Sequence, residues 1–200
     1  MILTREKLQE IFNVDFYNGI QIHSRFAYKC FREKVLPTGN IIVFRSPTIV
    51  TDNMIDLEDV ITKDYIYSKD MINFCYEIPS IDLWGGVAFQ RLFNSIIGDI
   101  LMKIINVPIE IEGDDIFVCK EFIQGGITQL RGKASVSIVC RRQGAVVGHT
   151  GINIVAGDKA PAFAYSTNMS DQQIDSFMRN CIEAFYRTTN SIFTATSKVI

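Results

Sequence analysis

Histidine is scarce in this chain, with His23 and His149 the only two, and cysteine never occurs in C-x-x-C spacing. The five cysteines, Cys30, Cys75, Cys119, Cys140 and Cys181, are odd in number and widely scattered. That pattern argues against a disulfide framework or a Cys/His zinc site and predicts free thiols in a reducing compartment. No block of lysine or arginine occurs, and the net charge is −2, so the basic footprint of a nucleic-acid binder is absent. The densest cationic stretch is "CRRQG" (140–144), placed at a turn. A long apolar run is also missing. "LFNSIIGDILMKIINV" is broken by Asn94, Asp99 and Lys103, and "MILTREKLQEIF" has no signal-peptide core. The expectation is a soluble, cytoplasmic protein. No Ser-His-Asp or Cys-His signature appears by spacing, so covalent catalysis is not indicated.

What is present is ordinary globular material. Apolar residues make up 48% of the chain and charged residues 21%, with no repeat or low-complexity linker. Two hundred residues of this kind predict a single domain over 1–200. "DFYNGIQI" places Tyr-Asn-Gly between apolar flanks and predicts a hairpin. "RFAYKCFREK" reads as helical and "NIIVFRS" (40–46) as a strand. The acidic "TDNMIDLEDV" (51–60) reads as a solvated loop or the first turn of a short helix; the alternative is a magnesium-binding carboxylate group of Asp56, Glu58 and Asp59. "SKDMINFCYEI" (68–78) predicts a short helix capped by Ser68 and stopped by Pro79.

Over 82–106, apolar residues recur in pairs every four positions, from Leu92 and Phe93 to Ile104 and Ile105, which predicts an amphipathic helix ending at Pro108. Residues 109–155 predict antiparallel strands, with a turn at Gly113-Asp114 and the pair "KASVSIVCR" and "VVGHTGINIV" joined near Arg142-Gln143-Gly144. A capping box of Ser170 and Gln173 opens a last helix from 171 to 187 or beyond. The fold class is α+β, a mostly antiparallel sheet with helices packed on one face. The apolar residues of "TTNSIFTATSKVI" (188–200) have no evident internal role and suggest a homodimer contact.

Register decides what the 133–155 hairpin presents. A two-residue Gln143-Gly144 turn pairs Ile138 with His149. A three-residue loop pairs Ser137 with His149, Ser135 with Gly151 and Lys133 with Asn153. The three-residue register segregates polar from apolar side chains and is the one expected here. It gives one face of Lys133, Ser135, Ser137, His149 and Asn153, with Gly151 as a gap on which a ligand lies flat.

The order "GDDIFV" (113–118), "GKASVSIV" (132–139), "GHTGINIV" (148–155) resembles the core of biotin and lipoate protein ligases, which have the class II aminoacyl-tRNA synthetase-like fold. "IHSRFAYKCF", "IIVFRS", "MIDLED" and "SKDMINF" extend the likeness, and the chain resembles an uncharacterised prokaryotic family, domain of unknown function 366. The ligase resemblance implies an acyl- or aminoacyl-adenylate-forming ligase or transferase using ATP and magnesium. It makes Lys133 the catalytic lysine, with Asp115, Gly151 and Asn153 at matching positions. Arg25, Arg45, Ser135, Ser137 and His149 complete the expected binding set. The ligases' Gly/Arg-rich nucleotide loop is replaced by "IHSRFAYKCFR", their glycine after the lysine by Val136, and their Trp-Pro by Glu112-Gly113. A noncatalytic module for a small carboxylate or nucleotide-like ligand therefore stands as the alternative.

Overall fold

The structure, a computed structural model, describes residues 1–199. The chain begins with β1 (Ile2–Leu3), α1 (Arg5–Phe12) and α2 (Phe26–Phe31), then β2 (Asn40–Val50), α3 (Leu57–Thr62) and β3 (Ile66–Pro79). Next come α4 (Leu83–Ile105), β4 (Ile109–Glu112), β5 (Asp115–Val118), β6 (Phe122–Gln124) and β7 (Ile127–Gln129). It closes with β8 (Gly132–Lys133), β9 (Ser135–Arg142), β10 (Ala145–Val155) and α5 (Asp171–Thr196). The main sheet has the order β1-β2-β3-β10-β9 and is antiparallel except for β1 on β2. A second sheet runs β4-β5-β8, and β6 and β7 form a separate ribbon.

The two long helices lie together on one face, as an α+β sheet protein requires to bury that face. Their apolar stripes cover Phe74, Tyr76 and Ile152 with Phe93, Ile97, Phe177 and Phe185, all fully buried. Asp82 caps α4 by accepting from Gly85 N at 2.7 Å. Ser170 and Gln173 form the expected capping box on α5. The short α1 and α2 cover part of the opposite face, packing Leu8, Phe12, Phe26 and Cys30 on Phe44, Cys75 and Val147. Expected strands at 40–46, the turn at Gly113-Asp114 and both long helices are all present.

Two expectations fail for identifiable reasons. Residues 68–78 form the body of the central strand β3, not a helix. From Met71 on the strand is buried on both faces, so Met71, Ile72, Phe74, Cys75, Tyr76 and Ile78 do not alternate with exposed polar residues, and periodicity cannot tell such a segment from a helix. "DFYNGIQI" makes a turn but no hairpin. Tyr17 instead bridges Thr48 in parallel, its N–H donating to Pro47 O and its carbonyl accepting from Ile49 N. The Gln21 side chain holds the loop by accepting from Asn18 N and donating to Phe16 O.

Candidate functional site

The β9–β10 hairpin closes through the two-residue Gln143-Gly144 turn, with φ of 45° and 85°. Positive φ at both central residues is the geometry that matches strand twist in a tight hairpin. Ile138 therefore lies opposite His149, Val136 opposite Gly151 and Ser137 opposite Thr150. The three-residue register is corrected, and with it the single polar face. Ser135 and Ser137 point to the helix side, and His149 and Asn153 point to the other.

The helix side explains the serines. Gln90 and Asn94, polar residues on the buried stripe of α4, meet them there. Gln90 Nε2 donates to Ser137 Oγ at 2.9 Å and to Asp114 Oδ2 at 3.0 Å. Thr150 Oγ1 donates to Asn94 Oδ1 at 2.7 Å, and Asn94 Nδ2 to Asp114 O at 2.7 Å. Ser135 Oγ accepts from Ile116 N at 2.8 Å, fastening the second sheet to the first. These hydroxyls are spent on internal hydrogen bonds.

On the opposite side His149 is 2% exposed and stacks on Tyr17, with centroids 3.8 Å apart and an interplanar angle of 12°. Its Nε2 donates to Asn73 Oδ1 at 2.9 Å, because the Asn73 amide nitrogen is already directed at Ser46 Oγ. Burial pushes the imidazole pKa down to about 3, so the ring is neutral near pH 7. Gly151 is not an open gap. A side chain there would overlap the Met71 thioether, which fills the space.

Asn153 is 5% exposed. Its backbone is satisfied: N–H donates to Ala134 O, and the carbonyl accepts from Thr167 N and the Thr167 hydroxyl. Its side-chain Oδ1 is buried without a hydrogen-bond partner among the described residues. Lys133 sits where β8 meets the loop after β10. Its N–H donates to Phe163 O and its carbonyl accepts from Tyr165 N. Its ammonium lies 2.8 Å from Asp115 Oδ1, both side chains being roughly three-quarters buried.

These groups border one cavity of about 420 Å³ at the free edge of β9, walled by α3, its flanking segments and residues 161–164. Lys133, Asp115, Ser135, Ser137, His149 and Asn153 all contribute to its boundary; Gly151 does not. Residues not singled out from the sequence add to it, notably Tyr17, Tyr65, Tyr67, Phe163 and Asp64. "KDYIY" carried three of them, but only the approach of α3 to the sheet edge reveals it. The cavity is acidic: Asp56, Glu58, Asp59, Asp64, Asp114 and Asp115 border it, against the one ammonium of Lys133. Asp59 is held above its ordinary pKa, first by burial and then by Asp56 and Asp64, with Lys133 pulling it back. Asp56 also caps α3, accepting from Glu58 N at 2.8 Å. Among the described residues no three His, Cys, Asp or Glu side chains are grouped to hold a metal ion, so Asp56, Glu58 and Asp59 form no such cluster.

The two expected arginines lie elsewhere. Arg45 forms a fork on Asp70, at 3.0 and 2.7 Å, and reaches Asp171 at 2.7 Å, tying β2 to β3 and to the start of α5. Those carboxylates, Asp70 foremost, raise its pKa. Arg25 is exposed in the left-handed conformation, and its backbone N–H donates to the buried Glu77 carboxylate before α2. Neither borders the cavity.

The fold is an α+β fold of the biotin/lipoate protein ligase-like class. A T. acidophilum protein assigned as a lipoate protein ligase, with bound lipoic acid, is 13% identical over 76% of this chain and 73% of its own, with a TM-score of 0.50. P. falciparum LipL1 in complex with lipoate is 13% identical over 94% of this chain and 62% of its own, at 0.53. Similarity is higher, TM-score 0.77 and 22% identity over 92% of both chains, to a protein of unknown function from Pyrococcus horikoshi. At these identities the likeness establishes fold alone. The family model for the domain of unknown function (DUF366) matches residues 9–200, and the chain belongs to that family. No curated protein matches. Among the described residues no helix is long and apolar enough to cross a membrane.

Proposed function

We propose that the protein binds a small organic ligand in the cavity at the β9 edge, as a binding or regulatory module of ligase-like fold. The observation that carries this reading is the Asn153 side-chain oxygen, buried at the cavity boundary with no donor. An unsatisfied buried acceptor destabilises a fold by about 1–3 kcal/mol, and a ligand donor removes that penalty. Lys133 is the second polar anchor, and the aromatic walls take the ligand's apolar body. The lipoate-bound neighbours hold their ligand on the same fold, which supports a ligand role for this one.

The residues present do not fit ATP. A triphosphate needs several cations; this cavity has one ammonium, already paired with Asp115, and Arg25 and Arg45 point elsewhere. No adenylation step is therefore assigned to it.

The test is a thermal-shift panel of lipoic acid, biotin, octanoate, tryptamine, spermidine and MgATP on wild type and Asn153→Leu. The variant, freed of the unsatisfied oxygen, is expected to be more stable alone and to lose the ligand-induced shift. A shift that persists in Asn153→Leu locates binding outside this cavity. Pyrophosphate release from ATP with any of the acids, abolished in Lys133→Ala, would replace this reading by the ligase one.

A further inference from the structure

The charge around the cavity says which ligand fits. Of its six carboxylates, Asp115 pairs with Lys133 and Asp114 with Arg91 at 3.5 Å. Asp56, Glu58, Asp59 and Asp64 have no lysine or arginine partner among the described residues. They belong to α3 and its two flanks and border the cavity together with Lys133. Like charges collected in one place repel one another, and a cation that binds among them relieves that repulsion. The elevated pKa of Asp59 records that repulsion, after its burial.

Two further observations point the same way. Asn153, which borders the cavity, carries a buried acceptor without a partner, Oδ1, and only an N–H or O–H can satisfy it. The walls carry the rings of Tyr17, Tyr65, Tyr67 and Phe163. Tyr65 and Phe163 are about half exposed, leaving ring surface for a ligand. Aromatic faces combined with carboxylates are the surroundings in which an organic ammonium is held by cation–π and ionic attraction together.

We propose that this cavity selects an amine, an organic cation carrying N–H donors, over a carboxylic acid of the same shape. The inference rests on the ligand-binding reading above and specifies its ligand class. The ammonium lies among Asp56, Asp59 and Asp64, the hydrocarbon or aromatic body lies against the rings, and a donor on the ligand meets Asn153. The Lys133–Asp115 pair borders the site as a neutral unit. A free carboxylate entering the same space meets four carboxylates without an ion-pair partner, of which Asp59 alone feels Lys133.

Isothermal titration of the full chain with matched pairs tests this: octylamine against octanoate, and tryptamine against indole-3-propionate. The amine of each pair is expected to bind at least about tenfold more tightly at low salt and to weaken as salt is raised. Asp59→Asn and Asp64→Asn, both accessible positions, are expected to weaken the amines about three- to tenfold without lowering the thermal melting of the unliganded protein. Tighter binding of the acids overturns the amine assignment and leaves the ligand-binding reading standing. Amine binding unaffected by either substitution overturns the assignment of this carboxylate cluster. Binding of neither member of both pairs overturns inference and reading together.

Discussion

The Lys133 ammonium lies 2.8 Å from the Asp115 carboxylate, where the second sheet meets the loop following β10. The two residues are on strands that are not adjacent in sequence, so the pair fixes β8 against β5 at the rim of the cavity. Both ends are only partly exposed, and a lone charge left there lacks full hydration. In a double-mutant cycle, Lys133→Met and Asp115→Asn are expected to couple by about 0.5–1 kcal/mol. The double change should destabilise by less than the sum of the two single changes. Strict additivity in urea unfolding would show that the pair contributes nothing.

Ser137 separates internal structure from ligand contact. Its hydroxyl accepts from Gln90 and lies 3.2 Å from Thr150 Oγ1, within the network that joins α4 to the hairpin. Ser137→Ala should lower stability by about 1–2 kcal/mol while leaving ligand affinity unchanged. A loss of affinity without a loss of stability would return Ser137 to the ligand.

How much of this was legible beforehand depended on burial. α4 and α5 announce themselves because each has one wet and one dry side, and Ser170 with Gln173 marks a start that needs no tertiary partner. β3 hides because both its sides are dry. The hairpin register misled for a different reason. Sorting polar from apolar side chains assumed that the helix side of the sheet was wholly apolar, whereas Gln90 and Asn94 make it polar at two points. Motif resemblance points to Lys133, which does border the cavity; chemistry points to Arg45, whose partners Asp70 and Asp171 lie 25 and 126 residues away. The acidity of the site was half visible in "MIDLED", but its meeting with Lys133 is a product of topology.

The neutral, buried His149 makes stability depend on pH. Its pKa is about 3 in the folded protein against 6.5 for a free histidine side chain, so between these values the unfolded chain binds a proton that the folded chain excludes. Stability is therefore fully present above about pH 6.5 and is lost progressively as pH falls towards about 3. Unfolding in urea at about pH 7 and about pH 4.5 should show a loss of roughly 2 kcal/mol from this residue. His149→Gln should show a correspondingly smaller loss. Glu77, raised by burial, acts in the opposite direction, so the difference between wild type and variant isolates the histidine. Equal losses in both proteins would contradict the assignment.

Two glycines of β10 should differ in their tolerance of a methyl group. A Cβ at Gly148 would run into the Tyr76 ring, which is fully buried and packed against Phe89, Phe93 and Phe185. A Cβ at Gly151 meets the flexible end of Met71. Gly148→Ala is expected to destabilise by about 2–3 kcal/mol and Gly151→Ala by about 1 kcal/mol or less, read by thermal or urea unfolding. A reversed order would show that the Met71 side chain, not Tyr76, is the rigid neighbour.

The most direct test of the ligand-binding account is a crystallographic fragment screen. Soaked fragments carrying N–H donors are expected to collect in the cavity at the β9 edge, with a donor within hydrogen-bonding distance of Asn153 Oδ1 and their bodies against Phe163 or Tyr65. An empty cavity in crystals whose fragments occupy other surfaces would contradict it.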